Sequence, residues 1–260
     1  MPKTAGQPDG LVGEDQRRKT VVVLGAARSG TSVTAGMLQV LGVDMGSIGP
    51  SKKWNPKGSF EDKDFQRLNR DIFRMVEEAK SYWNPPTLEQ IMETRTRATP
   101  EIQRLVSEKS AGKSVWGWKN PRAILTMELF MPYLTNPCFV TVFRNPLATA
   151  KSSVAHHRGG IELFQALKLV NFYTEEMLAF LERHPRLPSV FVSFEDIVAD
   201  PEKGAERLAD FLDLQLSEEK RANVHRLVIP RDRIEAAKEH GRRSFMQRLP
   251  RIIRRRLAGR

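Results

Sequence analysis

The sequence predicts an α/β protein: a three-layer sandwich in which a central, mostly parallel sheet is flanked by helices. Three observations predict it. Short β-branched or aromatic runs recur along the chain, helical patterns separate them, and the first run passes through a glycine-containing loop straight into a helix.

In chain order, residues 1–19 carry scattered Gly and Pro without periodicity and read as a disordered lead-in to a domain spanning 20–230. Thr20 to Leu24 is the β-branched run of a buried parallel strand, and Thr31 to Leu41 continues from the loop as a helix. Ser114 to Trp118, Cys138 to Phe143 and Ser189 to Phe194 are the further strands. Helices are expected over Asp62 to Ala79, Pro100 to Lys109, Arg122 to Leu134, Pro146 to His156, Ile161 to His184 and Pro201 to Leu212, several opening on Pro or an acid as first turns do. Lys80 to Thr99, with its prolines, threonines and the pair Tyr82 and Trp83, is expected to be a loop or lid. In such sheets ligands bind beyond the carboxyl ends of the strands.

At 260 residues, 40% hydrophobic and 28% charged, the chain is long enough to bury a core and has ordinary globular composition. No apolar run reaches membrane-span length and the first residues lack a signal-peptide core, which is compatible with a cytoplasmic setting. Cys138 is the single cysteine, so neither an internal disulfide nor a cysteine-based zinc site can form; at the start of a buried strand it reads as packing. The net charge of +11 is concentrated: residues 231–260 hold eleven basic and three acidic residues, +8 of the total. A body of only +3 does not call for a nucleic-acid partner. Within the basic end, Phe245, Leu249, Ile252, Ile253 and Leu257 form an apolar stripe among arginines, interrupted by Pro250. Residues 242–260 therefore either dock on the domain, fray, or touch an anionic membrane surface.

The stretch "VVVLGAARSGTS", Val21 to Ser32, spaces Gly25 and Gly30 as a phosphate-binding P-loop does, but Thr31 stands where the Walker lysine belongs. The cation sits inside the loop as Arg28. Backbone N–H groups from Ala27 to Gly30 and the following helix N-terminus form an anion cradle, to which Ser29, Thr31 and Ser32 add hydroxyls. Without the lysine, nothing at the usual place reaches the outer phosphates of a nucleoside triphosphate, which disfavours a P-loop kinase or NTPase. A turn that binds nothing is the plain alternative. A second segment, "TVFRNPLATAKSS", puts Arg144 at a strand end and Ser152 two turns into the next helix, where they can clamp another phosphate.

Together these segments resemble the sulfotransferases that use 3′-phosphoadenosine 5′-phosphosulfate (PAPS), in their bacterial branch. Arg28, Ser29, Gly30, Thr31 and Ser32 match that family's [KR]SGT[ST] loop for the 5′-phosphosulfate, and Arg144 with Ser152 match its 3′-phosphate clamp. "SVFVSFEDIVADPE" resembles its strand ending in an aromatic beside the adenine, with Phe194 where Tyr is commoner, so stacking remains while the phenol is missing. The resemblance implies a P-loop-like fold, PAPS as donor, 3′,5′-ADP as product, no metal, and an acceptor hydroxyl on a carbohydrate, glycolipid or small molecule. It implies two separated basic pockets gripping opposite ends of the donor, with Arg28 neutralising charge on the leaving phosphate.

"NPKGSFEDKDFQRLN" resembles a family stretch in which a carboxylate follows an "NPKG" turn; Glu61 is the base candidate, with Asp62 second, although acids here also suit a helix start. Asp62, Lys63 and Asp64 spell the DxD of metal-bound nucleotide sugars, a pattern of low information read as coincidence. In "VWGWKNPRA" the resemblance makes Lys119 a cation or base facing the transferred group; it either stabilises the leaving group or pairs with a carboxylate, and Arg122 is available to acceptor or cofactor. Trp116 and Trp118 read as core, and His156 and His157 as a helix end. Arg231, Arg242 and Arg243 are further candidates for the 3′-phosphate. A noncatalytic module binding anions or membrane through the basic end is the rival from another class.

Overall fold

The computed structural model describes residues 18–46, 58–76, 80–157 and 160–228. The expected lead-in before residue 18 and the basic end, including Arg231, Arg242, Arg243 and the stripe at 242–260, lie outside the described residues.

Four strands form one parallel sheet: β1 (Lys19–Leu24), β2 (Val115–Lys119), β3 (Pro137–Phe143) and β4 (Ser189–Ser193), in the order β2-β1-β3-β4. β1 pairs with β2 from Lys19 opposite Val115 to Val23 opposite Lys119, and with β3 from Thr20 opposite Pro137 to Leu24 opposite Thr141. The helices are α1 (Thr31–Leu41), α2 (Lys63–Arg74), α3 (Leu88–Glu93), α4 (Arg95–Ser110), α5 (Ala123–Phe130), α6 (Pro146–His156), α7 (Leu163–Arg183), α8 (Phe194–Ala199), α9 (Pro201–Leu212) and α10 (Glu218–Leu227).

Strand alternation sorts the core into two halves. Val22 and Leu24 of β1 join Trp116, Trp118 and Phe139 in a cluster closed by α2, α4, α5 and α7; Val21 and Val23 join Cys138, Val140 and Val142 in one closed by α1, α9 and α10. This is the expected three-layer sandwich. Trp116 and Trp118 are core, with the Trp118 ring stacked on Phe65 of α2 at 4.2 Å, and burial pushes the Cys138 thiol up.

Three expectations are corrected. Lys80 to Thr99 is not an open loop: Thr87 and Gln90 make a capping box that starts α3, and α4 begins at Arg95. Pro100 therefore lies inside α4, because Ala98 is buried along with Ile102, Leu105 and Val106 and the core-facing stripe extends upstream of the proline. Phe194 opens α8 instead of ending β4, since Ser193 accepts from the Asp196 N–H as an N-cap. α10 was not anticipated, although Ser217 followed by Glu218 and Glu219 is a legible helix start.

Asp62 is likewise corrected as an alternative base. It is the N-cap of α2, accepts from the backbone N–H groups of Asp64 at 2.9 Å and Phe65 at 3.3 Å, and pairs with Lys109 at 2.8 Å while its side chain is 0% exposed. Asp64 meets the same ammonium at 2.7 Å, so both acids of the DxD grip a lysine that locks α2 to α4. Removing the cap strands a buried charge: Asp62→Ala is expected to lower stability by about 2–4 kcal/mol, read as a lower urea midpoint at unchanged slope.

Candidate functional site

The site lies at the carboxyl ends of β1, β2 and β3, where the strand order reverses around β1. Gly25 to Gly30 link β1 to α1. A Cβ on Gly25 would sit 2.7 Å from the Thr31 methyl and 2.8 Å from the Val142 carbonyl oxygen, so the loop needs a bare backbone to pass β3. Gly30 is the N-cap of α1 at φ 102°, and a Cβ there would lie 2.4 Å from the Phe194 ring. Phe194 thus packs against the loop, and the Arg144 guanidinium sits 4.5 Å from its ring centroid.

Arg28 and Arg144, assigned to opposite ends of one ligand, meet. Arg144 donates from Nη1 to the Arg28 carbonyl oxygen at 3.0 Å, and Arg28 donates from Nε to Ser152 Oγ of α6 at 3.2 Å. The expected pair of separated pockets is one continuous cationic surface. The reason is topological: the two loops leave neighbouring strands, whose axes lie about 4.8 Å apart. Burial, followed by the Arg144 charge, pulls the Arg28 guanidinium below its ordinary value; burial does the same to Arg144. Both remain charged.

Between these loops runs a cleft of about 310 Å³ lined by Ala26, Ser29, Arg144, Thr149, Ser193 and Glu195. Ser29 Oγ and Arg144 Nε are buried and have no hydrogen-bond partner among the described residues; the same holds for Arg122 Nε. Buried donors left unmade are costly, and Trp118 Nε1 in the core is in the same state. Thr31 turns its methyl beneath Gly25, while Ser32 donates to the Ser59 carbonyl at 3.1 Å and ties the helix start to the chain leading to Glu61.

Glu61 and Lys119 come from different elements and form one ion pair, in which Lys119 is buried and Glu61 half-buried. Lys119 Nζ, at the end of β2, is 2.7 Å from Glu61 Oε1 and 3.3 Å from Ser32 Oγ. An ammonium does therefore reach the loop's last hydroxyl, from the adjacent strand instead of position 31. Glu61 Oε2 accepts from Gln66 at 2.9 Å and Asn120 at 3.4 Å, two partners the sequence reading did not bring here. Burial pulls the Lys119 amine down, the Glu61 charge opposes this, and Arg28 adds to the lowering. Among the described residues, four non-glycine residues have positive φ; Asn136 and Asp213 are types that tolerate it, but Arg28 at 72° and Phe60 at 50° are not. Both flank this site. At Phe60 the turn buries the ring against Gly36 and Glu61 follows it toward Lys119.

Tyr82 is the side chain no local pattern could have placed here. Its phenol oxygen accepts from the Ala27 N–H at 2.8 Å, its ring stacks on Tyr173 of α7 at 4.4 Å, and burial pushes its ionisation well above the usual phenol range. His157 ends α6 as its C-cap and meets the Trp83 ring edge-on at 4.3 Å.

The model of the sulfotransferase family matches residues 20–218. Among solved structures, the sulfotransferase domain from the curacin biosynthetic pathway has 17% identity and a TM-score of 0.51, covering 78% of this chain and 76% of that one. The sulfotransferase domain of the Synechococcus PCC 7002 olefin synthase has 17% identity and a TM-score of 0.51, covering 84% and 80%. The Mycobacterium avium sulfotransferase STF9 has 13% identity and a TM-score of 0.50, covering 80% and 67%. At these identities the likeness to the solved structures is one of fold. No curated protein matches the sequence.

Because the phenol is the partner of a loop N–H, Tyr82→Phe is expected to cost about 1–3 kcal/mol in urea unfolding, while Tyr173→Phe, whose hydroxyl meets only the Tyr82 carbonyl at 3.1 Å, costs less.

Proposed function

The chain belongs to the sulfotransferase family, and on that premise we propose that it transfers a sulfuryl group from PAPS to a hydroxyl of a carbohydrate, glycolipid or small molecule. The observation that carries this reading is the Lys119–Glu61 ion pair at the lip of the Arg28 loop: a half-buried carboxylate and a buried ammonium beside the loop.

The residues fit a nucleotide with anionic groups at both ends. Ser29 Oγ and Arg144 Nε are buried donors without partners among the described residues, and two guanidinium groups crowd together at a cost that an anion relieves. Ala27 to Ser32 would hold the 5′ end; Arg144 and Ser152 would hold the 3′-phosphate, with Phe194 against the base. When bound, the donor supplies a sulfuryl group whose bond to the phosphate oxygen breaks as the acceptor oxygen bonds to sulfur, leaving 3′,5′-ADP.

Glu61 takes the acceptor proton. Oε1 accepts from Lys119 and keeps a second lone pair, while Oε2 is engaged by both Gln66 and Asn120, so the carboxylate is oriented with one lone pair left for the proton. Lys119 and Arg28 stabilise negative charge at the loop, and because both are fixed before reaction, little reorganisation is required. Arg122, following Lys119 with an unpartnered Nε, is a further cation available to donor or acceptor.

Calorimetric titration with 3′,5′-ADP tests the donor assignment: Arg28→Ala and Arg144→Ala are each expected to weaken binding by about tenfold or more, and unchanged affinity in both would overturn it. Protection against heat by 3′,5′-ADP without magnesium, and not by ATP with it, separates this reading from a P-loop kinase. Glu61→Gln is expected to preserve 3′,5′-ADP affinity and lower turnover about 10²-fold or more; unaltered turnover would return Glu61 to a helix-start role.

A further inference from the structure

We infer that the Tyr82 phenol is a hydrogen-bond donor to the sulfuryl group of bound PAPS, held in place by the loop N–H that it accepts. The inference rests on the sulfotransferase reading and adds a residue that the sequence resemblance leaves unassigned. Tyr82 is 8% exposed, and a phenol oxygen both accepts and donates. Its accepting side is filled by the Ala27 N–H at 2.8 Å. Its own proton has no acceptor among the described residues: the ring stacks on Tyr173 and meets Trp83 edge-on, and the Tyr173 hydroxyl donates to the Tyr82 carbonyl, not to the phenol. That proton stays on the oxygen, because burial pushes the ionisation up by more than the Ala27 N–H and the Arg122 charge pull it down. Trp118 Nε1 also lacks a partner, but it lies in the core between Phe65 and Phe130, whereas the phenol lies on the loop itself. An anion held by that loop supplies the missing acceptor.

The course of the loop selects the end of PAPS that the phenol meets. Ser29 donates its N–H to the Ala26 carbonyl at 3.1 Å, closing a turn whose third residue, Arg28, has φ 72°. A positive φ at that position alone is the signature of a type II turn and is normally left to Gly; here the phenol anchors the N–H just before it. On the helix side of the loop, Gly30 caps α1 without a side-chain bond, so the first N–H groups of α1 are open and suit the 5′-phosphate. On the turn side, the Ala27 and Ser29 N–H groups are already engaged by Tyr82 and Ala26. With the helix end taken by the phosphate, the group carried on that phosphate falls to the side chains of the turn, the Arg28 guanidinium and the Tyr82 O–H. A neutral phenol that keeps its proton holds a sulfuryl oxygen without competing with Glu61 for the proton of the acceptor.

The test is a ratio of two affinities, PAPS against 3′,5′-ADP, measured by calorimetry on the full chain without acceptor; the two ligands differ by the sulfuryl group. Tyr82→Phe removes the O–H and keeps the ring, and is expected to lower the preference for PAPS over 3′,5′-ADP by about tenfold. Tyr173→Phe frees the Tyr82 carbonyl and leaves the phenol in place, and is expected to keep the ratio of the unaltered protein. A loosened loop weakens both nucleotides alike. Equal weakening of the two by Tyr82→Phe, loss of both, or no change in either therefore overturns the sulfuryl contact and leaves Tyr82 a structural prop of the turn. A fall in the ratio that Tyr173→Phe reproduces overturns it as well, since the phenol is intact there. Failure of 3′,5′-ADP to bind the unaltered protein overturns the donor reading itself, a result distinct from all of these.

Discussion

The parallel pairing of β1 with β2 on one edge and β3 on the other is the constraint on which the site depends. Parallel neighbours end at the same side of a sheet, so the loop after β1, Lys119 at the end of β2 and Arg144 just beyond β3 are delivered to one place. The helices that follow these strands leave to opposite faces, which opens a crevice at the loop ends instead of covering it. The contacts of Arg144 with the Arg28 carbonyl and of Lys119 with Ser32 are consequences of that shared terminus.

What gathers there is not what stability alone would select. Two guanidinium groups lower each other's comfort, a lysine amine is taken almost wholly out of water, two residues adopt left-handed backbone, and buried donors lack partners among the described residues. The left-handed backbone positions and the unmade donors each cost on the order of 1–3 kcal/mol. They are offset by ordinary packing beneath: the Phe65 and Trp118 stack, the Tyr82 and Tyr173 stack, and the Asp62–Lys109–Asp64 clamp that fixes α2 immediately after Glu61. Glu61 and Asp62, adjacent and alike in chemistry, are separated by this arrangement. One is turned toward a cation at the loop and the other is spent capping a helix.

Much of this was legible from the chain. Alternation and helical period located all four strands and most helices, because burial on both faces of a parallel sheet forces β-branched runs and because Pro, Ser and acidic residues mark first turns. Pro100 misled, since a proline that opens many helices here sits within one whose buried stripe begins earlier. The Gly25 to Ser32 loop was readable because a loop that must pass close to β3 admits few residues at its glycines. Tyr82 was not readable: its partner Ala27 lies 55 residues away, and no periodicity encodes a hydrogen bond across that distance.

By itself, then, the order of residues determined the layer architecture, the strand–glycine loop–helix turn and the candidates for charge and base. Those properties follow from local propensity and from chemistry carried within a few residues of one another. Only the tertiary structure decided that Arg28 and Arg144 meet, that Glu61 and not Asp62 meets Lys119, and that Tyr82 holds the Ala27 N–H. Those are distances between segments far apart in sequence, and strand order and packing, not neighbouring residues, set them.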